Sequence, residues 1–315
     1  MHMLKLSPAG KDYLWGGIRL KTEYHKKFNF SPLAETWECS VHPDGASIVT
    51  NGEHAGMTLD KVIQLHPEYL GKKYNYFPIL VKLIDAEKDL SIQVHPDDAY
   101  ARYYEHQNGK TEMWYVMDAV ENAFLIHGFE KNFTKQEIKQ AIENHEIMKY
   151  LHKVPVQKGD VFYIPAGTVH AIGKGVLIAE IQENSNITYR VYDYNRLDKN
   201  GNKRELHIKK ALQVMHCRPA SEINFDKNFF KNSDYQIETL CNCQYFETKK
   251  IIIKNKFNFI VKTDSFQVLL CLDGMSILHH EQEFMKIQKG DCVFLPAGLG
   301  ICKICGNAEL LKIKC

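Results

Sequence analysis

The chain has 315 residues, 44% of them hydrophobic, and sets 40 Lys and Arg against 38 Asp and Glu for a net charge of +2. That length exceeds one ordinary core and points to about two domains, while the balanced charge lacks the basic stripe that tracks nucleic acid. The opening MHMLKLSPAG lacks the apolar centre of a secretory signal, and no later stretch approaches the ~18 uncharged apolar residues of a membrane span, so a cytoplasmic protein without nucleic-acid or membrane partners is expected.

In chain order, MTLDKVIQLHPEYLGKKY (residues 57–74) reads as a short helix and a turn. Four short β-like runs follow: FPILVKLI, LSIQVH, MWYVMDA and AFLIHG. Within LSIQVH the strand period of two places Gln93 and His95 on one face and Ile92 and Val94 on the other, and Pro96 ends the strand because it cannot donate to the ladder. FTKQEIKQAIENHEIMKYLHK (133–153) interrupts with a second helical insert, carrying a capping box of Thr134 and Glu137 and an apolar face begun by Ile138, Ala141 and Ile142. Then come DVFYIPAG, VLIAEIQ, NITYRVYDY, KKIIIKN, FNFIVK, FQVLLCLDG and DCVFLPAG. Short strands punctuated by turns predict a mainly β chain of antiparallel sandwich or barrel type, with the helical inserts covering a sheet edge or rim.

Nine cysteines fit free thiols in a reducing compartment better than a disulfide framework. Cys241 with Cys243 and Cys302 with Cys305 have spacings that a zinc thiolate site could use, but the second pair lies in a strand-like run without a redox context, and the plainer reading of ordinary thiols is preferred.

An internal repeat carries the most information. KGDVFYIPAGTVH, from Lys158 to His170, aligns with KGDCVFLPAGLGI, from Lys289 to Ile301, and each is preceded by a strand ending in an acidic turn, EMWYVMDA from Glu112 and QVLLCLDG from Gln267. Two copies of one β-unit imply two related domains, placed at residues 1–220 and 221–315. The first copy has Glu112 and His170 where the second has Gln267 and Ile301, so only the first is expected to hold a metal.

The run from Gly159 to His170 resembles the second cupin motif, in which Pro165 and Gly167 turn sharply and His170 is thereby aimed into the barrel. The first cupin motif normally supplies His-x-His and then Glu; here Gln93 and His95 are followed by Glu112 after a long insertion. With that substitution, the chain resembles the short bacterial form of the type I mannose-6-phosphate isomerases through most of its length. YLWGG, ETWECSVHPDG, LSIQVHPDD, GKTEMWYV, GDVFYIPAGTVHAIG and EIQENSNITYRVYDYNR carry the resemblance in order.

The resemblance implies two cupin-type β-sandwich domains of jelly-roll form with short helical inserts, the second degenerate. It implies a single Zn²⁺ held by Gln93, His95, Glu112 and His170, a donor set leaving the dication with a net charge of about +1. It further implies interconversion of mannose 6-phosphate and fructose 6-phosphate through a cis-enediol, with a small sugar phosphate as substrate. Arg190 matches the family's active-site arginine and suits phosphate or enediolate oxygens. Lys110, two residues before Glu112 and on its strand face, is assigned either to anionic oxygen or to proton transfer. Glu180 is the alternative proton carrier, and Lys82 and Ser91 match phosphate-side positions. Gly109 and Asn186 stand where some relatives carry His and Asp, which leaves ring opening unassigned and the preferred aldose open. A non-catalytic sugar-phosphate-binding or regulatory cupin remains the competing reading; a metal-dependent oxygenase would favour a histidine-rich iron site.

Overall fold

The computed structural model describes residues 1–198, 200–221, 225 and 228–315. Two antiparallel β-sandwiches form, built from the predicted runs. In the first, a six-stranded sheet runs in the order Val161–Ile164, Glu112–Ala119, Val176–Glu183, Ile79–Ala86, Glu35–Cys39 and Ala9–Lys11. Facing it, a five-stranded sheet runs Tyr189–Tyr192, Ile92–Val94, His170–Ile172, Phe124–Phe129 and Leu151–Pro155. Trp15, Ile84, Leu90, Trp114, Leu125, Ile172 and Ile178 fill part of the space between them.

The central strands Ile79–Ala86 and Val176–Glu183 are buried along their whole length. Their outward residues explain why: Val81, Leu83, Ala179 and Ile181 share a core with Val268, Leu270, Leu311 and Ile313 of the C-terminal sheet. Both faces of the six-stranded sheet are therefore covered, and its middle strands read as nearly continuous apolar runs rather than alternating ones. The helix Leu59–Leu65 adds Leu59 and Val62 to this shared core.

The second sandwich is a ten-stranded sheet whose long strands Gln267–His280 and Gly300–Lys314 pair through a bulge between Cys271 and Asp273. It encloses its own apolar cluster, including Met3, Ile251, Phe257, Leu269, Val293 and Leu310. The N-terminal segment divides between the two units. Leu4–Ser7 pairs with Cys292–Leu295 of the second sandwich, whereas Ala9–Lys11 pairs with Glu35–Cys39 of the first. Cys302 is in the core and Cys305 only partly buried, because an odd spacing on one strand sends their side chains to opposite faces.

The repeat recurs hydrogen bond for hydrogen bond. Gly159 and Gly290 donate to Val116 and Cys271 carbonyls, both at 2.8 Å, and Val116 and Cys271 donate back to Asp160 and Asp291, both at 2.9 Å. Asp160 and Asp291 each accept, at 2.9 Å, the amide three residues upstream.

One predicted element is shorter than expected. The capping box of Thr134 and Glu137 is present, but the helix spans Lys135–Glu143 rather than continuing to 153. Asn144 caps it, His145 turns the chain at a φ of 59°, and Leu151–Pro155 pairs with Phe124–Phe129 as a strand. This helix and a second, Ile208–Val214, cover the outer face of the five-stranded sheet, sealing Ile92, Val94, Ile126 and Ala171. A further helix, Asp98–Tyr104, follows the Pro96 break because the Asp97 carboxylate caps it, accepting the Tyr100 amide at 2.8 Å. Among the described residues, no helix is long and apolar enough to cross a membrane.

Candidate active site

Strand register assembles the site. Ile92–Val94 lies between Tyr189–Tyr192 and His170–Ile172, so Arg190, Gln93 and His170 stand opposite one another in a row on one face of the five-stranded sheet. Across the sandwich, Lys82, Glu180 and Trp114 form the matching row, and Glu112 lies two residues before Trp114 on the same face. The turn after Val161–Ile164 ties the parts together: the Gly167 amide donates to the His95 carbonyl at 2.8 Å.

His95, Glu112 and His170 are fully buried and bring ligand-type atoms within 4.8 Å of one another. His95 Nδ1 donates to the Ile187 carbonyl at 2.8 Å and His170 Nδ1 to the Thr168 carbonyl at 2.9 Å. Each ring is thus held in the tautomer that leaves Nε2 unprotonated, and the two Nε2 atoms face each other at 3.1 Å. Burial, reinforced by Lys110 and by the neighbouring imidazole, pushes His95 down to about 4 and His170 to about 3, so both are neutral at physiological pH. Glu112 Oε1 lies 3.2 Å from His95 Nε2, and Oε2 lies 3.8 Å from His170 Nε2. Burial favours protonation of Glu112, but the Lys110 ammonium 2.6 Å away outweighs it and holds the carboxyl well below the usual range. Opposed lone pairs and an anionic oxygen in a buried pocket are a donor set that a divalent cation satisfies.

Around this trio the charges alternate. Lys110 Nζ is 2.6 Å from Glu112 Oε1 and 3.2 Å from His95 Nε2. The Trp114 indole N–H is shared between Glu112 Oε2 at 3.1 Å and Glu180 Oε2 at 2.9 Å. Burial and the nearby Glu112 raise Glu180 above the ordinary carboxylate range, against the pull of Lys82 and Lys110. Lys82 sits 3.1 Å from Glu180 and 3.8 Å from Glu35; burial opposes its charge, yet those carboxylates and Glu112 hold it above a free lysine.

A cleft of about 260 Å³ opens onto these groups, lined by Lys82, Ser91, Gln93, Lys110, Glu180 and Arg190 among others. The buried trio lies behind this lining, with Glu112 Oε1 2.6 Å from the Lys110 ammonium. Gln93 is placed beside His170 by register, Ser91 is buried at the wall, and Arg190 anchors one guanidinium nitrogen on the Glu205 carbonyl at 2.8 Å. Its Nε is buried without a partner among the described residues. Of the predicted site residues, Lys82, Ser91, Gln93, Lys110, Glu180 and Arg190 line this cleft, and His95, Glu112 and His170 cluster beside Lys110. Sequence reasoning missed Trp114, which bridges the two carboxylates, and Arg204, which lines the cleft while bound to Asp193 at 2.6 and 2.8 Å. Trp114 alternates with Glu112 on one strand face, a signal that was available; Arg204 lies in a polar loop with no periodic pattern to mark it.

Residues 3–126 match the family model for the phosphomannose isomerase type I catalytic domain, and residues 236–314 that for the mannose-6-phosphate isomerase cupin domain. The mannose-6-phosphate isomerase ManA of Bacillus subtilis is 36% identical over 310 residues, covering 98% of this chain and 97% of that protein. The mannose-6-phosphate isomerase of Streptococcus mutans is 37% identical over 300 residues, 95% of this chain and 93% of the relative. A crystal structure of the mannose 6-phosphate isomerase from Bacillus subtilis superposes with a TM-score of 0.94 over 99% of both chains at 35% identity.

Proposed function

The chain belongs to the type I phosphomannose isomerase family, and on that premise we propose that it interconverts mannose 6-phosphate and fructose 6-phosphate with one Zn²⁺, in the cytoplasm, through a cis-enediol. The observation that supports this reading best is the convergence of two unprotonated imidazole nitrogens and Glu112 beneath the cationic side chains of Lys110 and Arg190.

His95, Glu112 and His170, with Gln93 beside them, are the residues that would hold the metal. Bound there, Zn²⁺ supplies Lewis acidity toward a sugar oxygen. The protein's own groups meet the other demands. Aldose–ketose exchange moves a proton between C1 and C2, so it needs a carrier that can both take and return it. Lys110 and Glu180 both line the cleft, linked through Glu112 and Trp114. Burial and the nearby Glu112 push Glu180 toward its protonated form, which suits a group that holds the proton in transit. Arg190, fixed on the Glu205 carbonyl, presents a permanent charge to the phosphate or to the enediolate oxygen. Ser91 lines the phosphate side. Lys82, already paired with Glu180 and Glu35, contributes to that side mainly by offsetting carboxylate charge. Residues 1–220 form the catalytic unit in this reading and 221–315 a companion without metal ligands.

The test is conversion of fructose 6-phosphate to mannose 6-phosphate by purified protein, before chelation, after it and after zinc is restored. Activity lost with chelator and regained with zinc supports the reading. A folded, zinc-loaded protein inactive on both sugars overturns it.

A further inference from the structure

The segment that carries Lys110 is a three-residue link, Gly109 to Thr111, between a loop and the strand Glu112–Ala119. Two carboxyl groups grip it from separate elements. Asp98, in the first turn of the helix Asp98–Tyr104, accepts the Gly109 amide at 2.9 Å. Glu183, the last residue of the strand Val176–Glu183, accepts the Thr111 amide at 2.7 Å, and its own amide donates to the Thr111 carbonyl at 3.1 Å. The Lys110 amide between them donates to the Pro96 carbonyl at 3.1 Å. At Gly109 the approach is so close that a Cβ would meet the Asp98 nitrogen at 2.5 Å.

Asp98 Oδ1 takes the Gly109 amide and Oδ2 lies 3.1 Å from the Arg102 guanidinium. Glu183 is only 4% exposed, and burial, with the charge of Asp98 nearby, pushes its carboxyl toward the protonated form. Tyr76 and Tyr245 are the other titratable groups near it, and both are weaker acids than a carboxyl. None of the roles assigned above uses this pair.

We propose that Asp98 and Glu183 together form a clamp on the Gly109–Thr111 link, and that the clamp is the positioning device that holds Lys110 in the cleft beside Glu112. Glu183 acts through Lys110 and touches neither substrate nor metal ligand. Ionisation of the buried Glu183 carboxyl loosens its grip on the link. Burial, with Asp98 opposing the backbone bond from Thr111, raises Glu183 to about 8, so the clamp opens in mildly alkaline solution. The part concerning Lys110 rests on the isomerase reading; the clamp on the link does not.

The experiment compares wild type, Glu183→Gln and Glu183→Ala, zinc-loaded, from about pH 6 to 10, by steady-state kinetics and by Tm. Gln accepts from Thr111 without a titrating proton, so Glu183→Gln keeps turnover and lacks the decline in kcat that wild type shows above about pH 8. Glu183→Ala loses about 10- to 100-fold in kcat at every pH with KM little changed, because a displaced catalytic group costs rate more than affinity. In the Tm arm, a carboxyl raised in the folded state stabilises it fully below the unfolded value near 4.5, and that stability is lost as pH rises through about 8. Wild type shows this fall in Tm and Glu183→Gln does not. A Gln variant with the wild-type alkaline limb and the wild-type Tm profile overturns the clamp. An inactive wild type would instead sink the isomerase reading, and the Tm arm would still decide whether Glu183 titrates as the clamp requires.

Discussion

In the first sandwich the residue opposite Ile164 is Glu112; in the second the residue opposite Leu295 is Gln267. The two copies share turn bonds to within a few tenths of an ångström and differ in what those turns enclose. Following the same register, Trp114 corresponds to Leu269, Glu180 to Lys312 and Lys82 to Lys249. Lys312 donates to Gln267 at 3.3 Å and is pushed down to about 8, first by burial and then by Lys249. Ile301, where the first copy has His170, is 71% exposed and does not face inward at all. A cation entering the second sandwich would meet amide and ammonium in place of carboxylate and imidazole. Turn chemistry preserves the shape of the unit, and a few inward positions decide whether that shape has chemistry.

The sharpest way to break the comparison is to remove a ligand from the first copy. His95→Ala is expected to lose bound metal and turnover together, which metal analysis on gel-filtered protein alongside the isomerase assay would show. Lys110→Met is expected to keep the metal and lose about 10²- to 10⁴-fold in kcat, the usual worth of a positioned acid–base group. Wild-type turnover in that variant would remove Lys110 from the mechanism.

Residue types at short spacing made much of this visible in advance. KGD and PAG mark the two turns, Thr134 with Glu137 marks a helix start, and Gln93, His95, Glu112 and His170 stand out as a ligand-like series. What the sequence hid depends on partners far along the chain. Nothing in LKLS says that Leu4–Ser7 will pair with Cys292–Leu295, because an edge strand's partner is chosen by long-range packing rather than by its own pattern. The helix from Lys135 was expected to run to 153 because apolar residues continue at helical spacing; pairing of Leu151–Pro155 with Phe124–Phe129 overrode that periodicity. The Asp98–Glu183 pair was equally invisible, since neither residue belongs to a motif whose spacing implies the other.

The interface between the sandwiches offers a smaller perturbation. Leu311 points into the core shared with the first sandwich and Leu310 into the second sandwich's own interior, and both are fully buried. Truncating either to Ala should cost about 2–5 kcal/mol. All three tryptophans, Trp15, Trp37 and Trp114, belong to the first sandwich, so their fluorescence reports that unit. If the sandwiches unfold as one, Leu311→Ala and Leu310→Ala shift the fluorescence midpoint in denaturant equally. If the second unfolds alone, Leu310→Ala shifts circular dichroism and leaves tryptophan fluorescence in place.

The smallest effects should come from the matched turns. Gly159 and Gly290 have φ values of +99° and +88°, so any L-residue there is strained by about 1–2 kcal/mol. Their surroundings differ. A Cβ at Gly159 would meet nothing within 4 Å, whereas one at Gly290 would meet the Tyr24 carbonyl oxygen at 2.5 Å. The N-terminal segment also ties down the second turn, because Lys26 donates to the Gly290 carbonyl and pairs with the buried Glu38 carboxylate at 2.6 Å. Gly159→Ala should therefore cost only the backbone strain. Gly290→Ala should cost more, since the clash is with backbone that has no rotamer to escape into, and Lys26, which pairs with Glu38, sits on the segment it would displace. Equal losses of stability in the two variants would mean that the second turn is not a docking point for the N-terminal segment, and that the copies differ in their interiors alone.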